Sequence, residues 1–398
     1  MGAPVPDDPG PEQFGDLYRM IYAFGAGGEV PTIPVASAEL AAAAEEAMEP
    51  RSAAYVFGSA GSEDTARENE LAFRSWRIVP RVLRDISQRD LRVDLLGFGW
   101  PAPVALAPIG VQEIVHPDGE LASARAAKAI GVPMTVGTAA SYTLERVAEE
   151  LGETPRMFQL YWPNDPDLAE SFVSRAEAAG YGAIVVTVDN AFPGWKPRDL
   201  QNAHLPFIHG LGLANYFADP VFRDSLEQSP EDDQGAAVGR FITVFGNPGL
   251  SWSDLDHLRA STSLPIVLKG ILHPDDAREA RERGVDGVVV SNHGGRQIDG
   301  AIASADALPA IADAVGEELA VLLDSGIRSG ADALKALALG ADAVLVGRPY
   351  LWGMALEGAE GAEKVVRYLL AELDLSMALA GCVRPAEVGP EMLVRRPA

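Results

Sequence analysis

Eight short apolar runs, each followed by room for a helix, constrain this chain more than any other feature of its sequence. They fall at residues 104–108, 134–138, 157–161, 184–188, 266–269, 287–291, 321–324 and 344–347. Unbroken runs of Val, Ile and Leu suit strands buried on both faces of a parallel sheet; a half-exposed strand would alternate. Residues 119–130, 166–179, 274–283 and 330–339 read as helices between them. Run starts lie 30, 23, 27, 82, 21, 34 and 23 residues apart, so six of the seven intervals fit one strand–helix unit. The class is α/β. Eight such units predict a single closed (β/α)8 barrel, with a doubly wound open sheet as the rival.

The 82-residue interval carries an insertion at about 190–247, with Pro, Gly, aromatics and the acidic stretch Glu231-Asp232-Asp233. It leaves the end of strand four where barrel enzymes keep their active sites, so it reads as a lid, against a disordered excursion. Residues 1–100 form a tail and a helical segment expected over one barrel rim, and residues 101–398 form the barrel. Residues 38–48 read as a helix capped by Ser37. Residues 51–84 read as mixed and helical, broken by Gly58 and Gly61 near Tyr55.

Of 398 residues, 32 are Lys or Arg and 57 are Asp or Glu, a formal charge of −25. That balance argues against binding nucleic acid or an anionic leaflet. Cys382 is the single cysteine, which excludes an internal disulfide and any multi-thiolate metal site. Six histidines without ligand spacing argue against a metal. No basic segment leads into an apolar stretch at the N-terminus and no run of about 18 apolar residues occurs, so a cytoplasmic protein is expected.

The strand ends are unusually polar. Strand three ends at Gln159 and Tyr161, strand four at Thr187 and Asp189, strand five at Lys269. Strand six runs into Ser291-Asn292-His293-Gly294-Gly295-Arg296-Gln297, strand seven into Asp324-Ser325-Gly326-Ile327-Arg328, and strand eight into Gly347-Arg348. Each alone has an ordinary explanation as a cap or a satisfied polar group, but independent caps need not collect on one rim. Loops after strands seven and eight commonly cradle phosphate. Gly326 and Gly347 allow close backbone approach, and Arg328 and Arg348 supply forked donors. An arginine such as Arg296 suits a carboxylate, and a nearby His293 suits a proton acceptor oriented by Asp189. Lys269 suits a developing anion on a cofactor, with a Schiff base as the competing reading.

The stretch 291–297, with Lys269 before it and Asp324 to Arg328 and Gly347-Arg348-Pro349 after it, resembles the FMN-dependent 2-hydroxy-acid oxidases, and most closely their bacterial lactate 2-monooxygenase branch. Residues 108–110, 158–163, 194–200 and 347–350 extend the resemblance over nearly the whole chain. It implies FMN as cofactor, an L-2-hydroxy acid and O2 as reactants, and a homotetramer or homo-octamer. It implies His293 as the base, Asp189 behind it, Arg296 on the substrate carboxylate, and Tyr55 and Tyr161 on the carboxylate or hydroxyl. Lys269 would stabilise the reduced cofactor. Pro108, Ile109, Gly110, Gln159, Thr187 and Ser291 would meet the ring system or ribityl chain, and Asp324 the ribityl hydroxyls. Gly326, Arg328, Gly347 and Arg348 would hold the phosphate. Tyr216, in the insertion, would close over the substrate.

The monooxygenase branch implies conversion of lactate and O2 to acetate, CO2 and water. The alternatives are release of the 2-oxo acid with H2O2, or a dehydrogenase with another acceptor. Gly110 stands where many relatives have alanine and is expected to leave extra room. Lys196 replaces the second carboxylate-binding arginine, with Arg198 as a possible substitute. Gly137 replaces a serine, and Ala139 a larger side chain, which puts the substrate's size in doubt and leaves a catalytically weak flavin-binding protein as a rival.

Overall fold

The computed structural model describes residues 11–396. Eight parallel strands close into a barrel: β1 (Val104–Leu106), β2 (Met134–Gly137), β3 (Arg156–Tyr161), β4 (Ile184–Thr187), β5 (Ile266–Ile271), β6 (Gly287–Val290), β7 (Ala320–Leu323) and β8 (Ala343–Val346). Each strand pairs with its sequence neighbours and β8 pairs with β1, which excludes the open sheet. All eight overlap the apolar runs, because strands covered on both sides have no polar face to blur their pattern.

The barrel interior is packed with small apolar side chains, among them Ala105, Val185, Val267, Val289 and Leu345. Trp100 joins them, 1% exposed. It sits on an antiparallel hairpin, Val93–Leu95 with Phe98–Trp100, that closes the mouth at the strands' N-terminal ends. A large ring stoppering that end leaves the opposite mouth for a ligand.

The N-terminal segment therefore serves both mouths, where one rim was expected. Its helix Pro50–Phe57 starts at Glu49, whose carboxylate accepts from Arg51 N and Ser52 N, and stops at Gly58. Helix Asp64–Arg74 follows, and its Asn69 exchanges two hydrogen bonds with Asn292 in the loop after β6, at 2.8 and 2.6 Å. Ser37 is not the expected cap. It is the first residue of helix Ser37–Ala47, and no side chain caps that end.

The insertion is folded. Helices Ala214–Ala218, Pro220–Asp224 and Gln234–Val244 bury Tyr216, Phe222 and Phe241 against Phe172 of the barrel layer. The stretch before them, 190–200, lies over the loop after β6. Gln297 accepts from Gly194 N at 3.0 Å and donates to Asp189 O and Asn190 Oδ1 at 2.7 and 2.6 Å. Gly61 N donates to Trp195 O at 2.9 Å. Among the described residues no helix is long and apolar enough to cross a membrane.

Candidate active site

Barrel register sets the site's floor. Tyr161, Thr187 and Lys269 are successive ladder partners on β3, β4 and β5, so their side chains reach one level. Gln159 lies one layer down and donates to Thr187 Oγ1 at 2.9 Å. Asp189 follows β4 and comes close to β5 at Gly270, where a Cβ would lie 2.6 Å from that of Asp189. Gly270 has φ +114, so both backbone and space require glycine there.

Lys269 Nζ lies 3.0 Å from Asp324 Oδ2 and 3.0 Å from Ser291 Oγ, linking β5, β6 and β7. Burial works against its charge, yet Asp324 and Asp189 hold its pKa above the ordinary lysine value. It is an ammonium. Ser291 Oγ also accepts from His293 N at 3.0 Å.

His293 has φ +60, a strained conformation for a non-glycine residue. The surroundings determine it tightly: Gly294 N donates to Ser325 Oγ and Gly295 N to Asn292 Oδ1, at 2.9 and 3.0 Å. The ring is thereby presented edge-on, with Nδ1 2.9 Å from Asp189 Oδ1 and Nε2 3.4 Å from the Tyr161 hydroxyl. Burial raises the cost of charging Asp189, but His293 and then Lys269 hold its pKa below the usual carboxylate range. A carboxylate on Nδ1 leaves Nε2 as the nitrogen free to take a proton. The second carboxylate oxygen, Asp189 Oδ2, is buried without a partner.

Arg296 lies over the Tyr55 ring, 4.9 Å from its centre, and donates to Tyr55 O and Gly58 O at 2.7 and 2.5 Å. Arg348, first residue of a helix running from Arg348 to Ala380, donates to Val56 O, Gly294 O, Gly58 O and Ser59 Oγ at 2.9 to 3.1 Å. Arg328 pairs with Glu70 at 3.0 Å and stacks on Trp352. Burial, then Arg296 and Arg328, push Arg348 down to about 9. Three guanidiniums and Lys269 crowd one cavity against Glu70 on Arg328 and Asp324 on Lys269, a positive surplus that a phosphate and a carboxylate would relieve.

That cavity is lined by Tyr55, Pro108, Ile109, Gly110, Tyr161, Lys269, His293, Arg296, Asp324, Gly326, Arg328, Gly347 and Arg348. It gathers most of the residues singled out from sequence onto one surface. Three expectations fail. Tyr216 is fully buried in the aromatic cluster of the insertion and its hydroxyl finds no partner, so it does not close over the cavity. Arg198 is tied to Glu63 at 2.8 Å and Glu45 at 3.5 Å on the surface, away from the cavity lining. Gly110 makes no spare room: a Cβ there would stand 2.4 Å from Ala139 O, so the glycine serves backbone packing. Lys196 is half-buried on the insertion's first arm, and its Nζ reaches Gly194 O at 3.4 Å. Ser59 and Asn69 were missed, and nothing local in the sequence marks them; Ser325 lay within the strand-seven motif but was given no role.

The sequence profile of FMN-dependent dehydrogenases matches residues 44–395, and the chain belongs to that family. It is 45% identical to L-lactate oxidase of Lysinibacillus sphaericus, over 87% of this chain and 89% of that one. It is 42% identical to the FMN-dependent alpha-hydroxy acid dehydrogenase qulF of Penicillium citrinum, over 97% of both. Among solved structures, mandelate oxidase superposes with a TM-score of 0.81 at 38% identity, covering 91% of this chain and 98% of that one. The protein is an FMN-dependent 2-hydroxy-acid oxidoreductase.

Proposed function

We propose that this enzyme oxidises an L-2-hydroxy acid with O2, with lactate 2-monooxygenation as the overall reaction: lactate and O2 give acetate, CO2 and water. The observation that carries the oxidation is the array of Asp189, His293 and Tyr161 opening onto the same cavity as Arg296 and Lys269. FMN, when bound, would accept the C2 hydrogen as hydride, and with it the two electrons that leave the alcohol carbon.

The chain's own residues do the rest. Arg296 and Lys196 bind the substrate carboxylate, and Tyr55 and Tyr161 orient the carboxylate and hydroxyl. His293 Nε2 takes the hydroxyl proton, and the negative Asp189 stabilises the imidazolium. Lys269 places a fixed positive charge where the reduced cofactor becomes anionic. Arg348, Arg328 and the amides around Gly326 and Gly347 would hold the phosphate, Asp324 the ribityl hydroxyls, and Pro108, Ile109, Gly110, Gln159, Thr187 and Ser291 the remaining edges.

The monooxygenase outcome rests on the insertion arm, whose docking through Gln297 and Trp195 favours retention of pyruvate and H2O2 until they react to acetate, CO2 and water. Holoenzyme given L-lactate in air should yield acetate with little free peroxide. Stoichiometric pyruvate and H2O2 would make it an oxidase, the reading that the name of the Lysinibacillus relative favours. Failure of every 2-hydroxy acid to bleach the flavin under nitrogen would reject the oxidation itself. The same reading carries a cytoplasmic homotetramer or homo-octamer, measurable by light scattering.

A further inference from the structure

Behind the cavity wall lies a carboxylate that the mechanism does not use. Glu120 is fully buried, and no ion pair involves it among the described residues. Its Oε1 accepts from Gln112 N and its Oε2 from Ser141 N, each at 3.1 Å. Those two amides belong to the loops after β1 and β2. The same pair of loops is joined by Val111 N to Ala139 O at 2.9 Å and by Glu113 N to Ser141 Oγ at 3.1 Å.

The loop after β1 is under strain and near contact. Val111 is β-branched and has φ +53. Gly110 meets Ala139 O so closely that no Cβ fits. A second set of bonds runs from the clamp to the cavity: Ser123 Oγ donates to Gln112 Oε1 at 2.6 Å, and Gln112 Nε2 donates to Ile109 O at 2.9 Å. Residues 108–110 face the cavity directly.

We propose that Glu120 is a positioning residue for hydroxy-acid oxidation: its carboxylate bridges the loops after β1 and β2 and thereby fixes residues 108–110 against the cofactor. An uncharged residue at a buried, cation-free position would cost less to bury, so stability alone does not account for a carboxylate there. Two converging N–H donors do, because a carboxyl group offers a separate oxygen to each and binds them most strongly when ionised. Burial pushes its pKa up to about 7, against the pull of those amides, so the clamp passes from neutral to charged around neutral pH.

The inference rests on the function proposed above, and its test separates the two. FMN-loaded wild type, Glu120→Gln and Glu120→Asp are compared by hydrogen exchange, flavin absorbance and anaerobic reduction with L-lactate. Glutamine offers one acceptor oxygen for two N–H groups. Expected in Glu120→Gln is exchange faster by about tenfold in segments 107–115 and 139–142 alone, with a shifted flavin band. Reduction at saturating substrate slows by about 10- to 100-fold, with the half-saturating concentration unchanged within about twofold. Glu120→Asp, which keeps the charge but shortens the reach to the two amides, shows the same split at a few-fold and decides the matter if Glu120→Gln does not fold. Wild-type exchange, spectrum and reduction rate in the variants would overturn the role of Glu120. A wild type that lactate and other 2-hydroxy acids never reduce would instead overturn the function, while exchange and absorbance still judge the clamp.

Discussion

Lys196 gives the sharpest test, because a lysine where the resemblance implies an arginine makes substrate binding titratable. Burial first, and then the neighbouring Arg296, push its pKa down to about 8, against the opposing pull of Asp199. The shift is downward, so the charged form is complete well below pH 8 and is lost as pH rises through it. With a pKa of about 8, roughly 90% of Lys196 is charged at pH 7 and roughly 10% at pH 9. If only the ammonium binds the carboxylate, kcat/KM falls by about ninefold between those values, since that ratio reports the free enzyme. Lys196→Arg, with a guanidinium charged throughout, should flatten this descending limb. Lys196→Met should lose about 10- to 100-fold in kcat/KM at pH 7 and also lack the limb. Initial rates with L-lactate in air-saturated buffer from pH 6 to 9.5 measure all three. A limb that survives in Lys196→Arg belongs to another group and refutes the reasoning.

His293→Ala should slow anaerobic flavin reduction by about 10²- to 10⁴-fold while FMN stays bound, because the base is lost and the phosphate contacts are not; stopped-flow absorbance reads the rate and gel filtration the retention. Arg348→Ala should weaken FMN by about 10- to 100-fold, read as flavin released on dilution, with little change in reduction of the flavin that remains. Gln297→Ala frees Asn190 and Gly194 of the insertion arm from the loop after β6, so the share of H2O2 plus pyruvate relative to acetate should rise. Arg89→Met strands Asp374, which is fully buried and bonded at 2.6 Å, and should cost about 3–5 kcal/mol in urea unfolding.

The barrel was legible because each strand is covered on both faces. Residues such as Val185 and Val186 are both buried, one inside the barrel and one under the helices, so burial wrote itself as a continuous apolar run. The candidate site was legible for the complementary reason. His293, Asp189 and Lys269 interrupt that pattern where strands end, and one topology brings all such interruptions to one mouth. What the sequence hid depends on chain segments far apart. Asn69 lies 223 residues from Asn292, and Ser59 lies 289 from Arg348. Neither has a periodicity or a motif of its own, because its partner is chosen by tertiary packing.

Two of the three readings that failed share a cause. The resemblance placed Tyr216 over the substrate and gave Gly110 spare room beside it. The structure shows that both answer first to backbone or core packing. The Tyr216 ring contacts Phe172, Phe222 and Phe241 with centroids 4.9 to 5.7 Å apart, which makes it an anchor for the insertion. The arm at 190–200, by contrast, is held through bonds of Gln297 to Asn190 and Gly194, one backbone bond from Gly61 N to Trp195 O, and ion pairs from Arg198 to Glu63 and Glu45. A buried aromatic cluster resists opening, whereas a few part-buried or exposed polar bonds open at smaller cost. Any gating of the site therefore belongs to the arm, with the aromatic body as its fixed hinge. Gln297 becomes the residue through which product retention can be changed without touching the base.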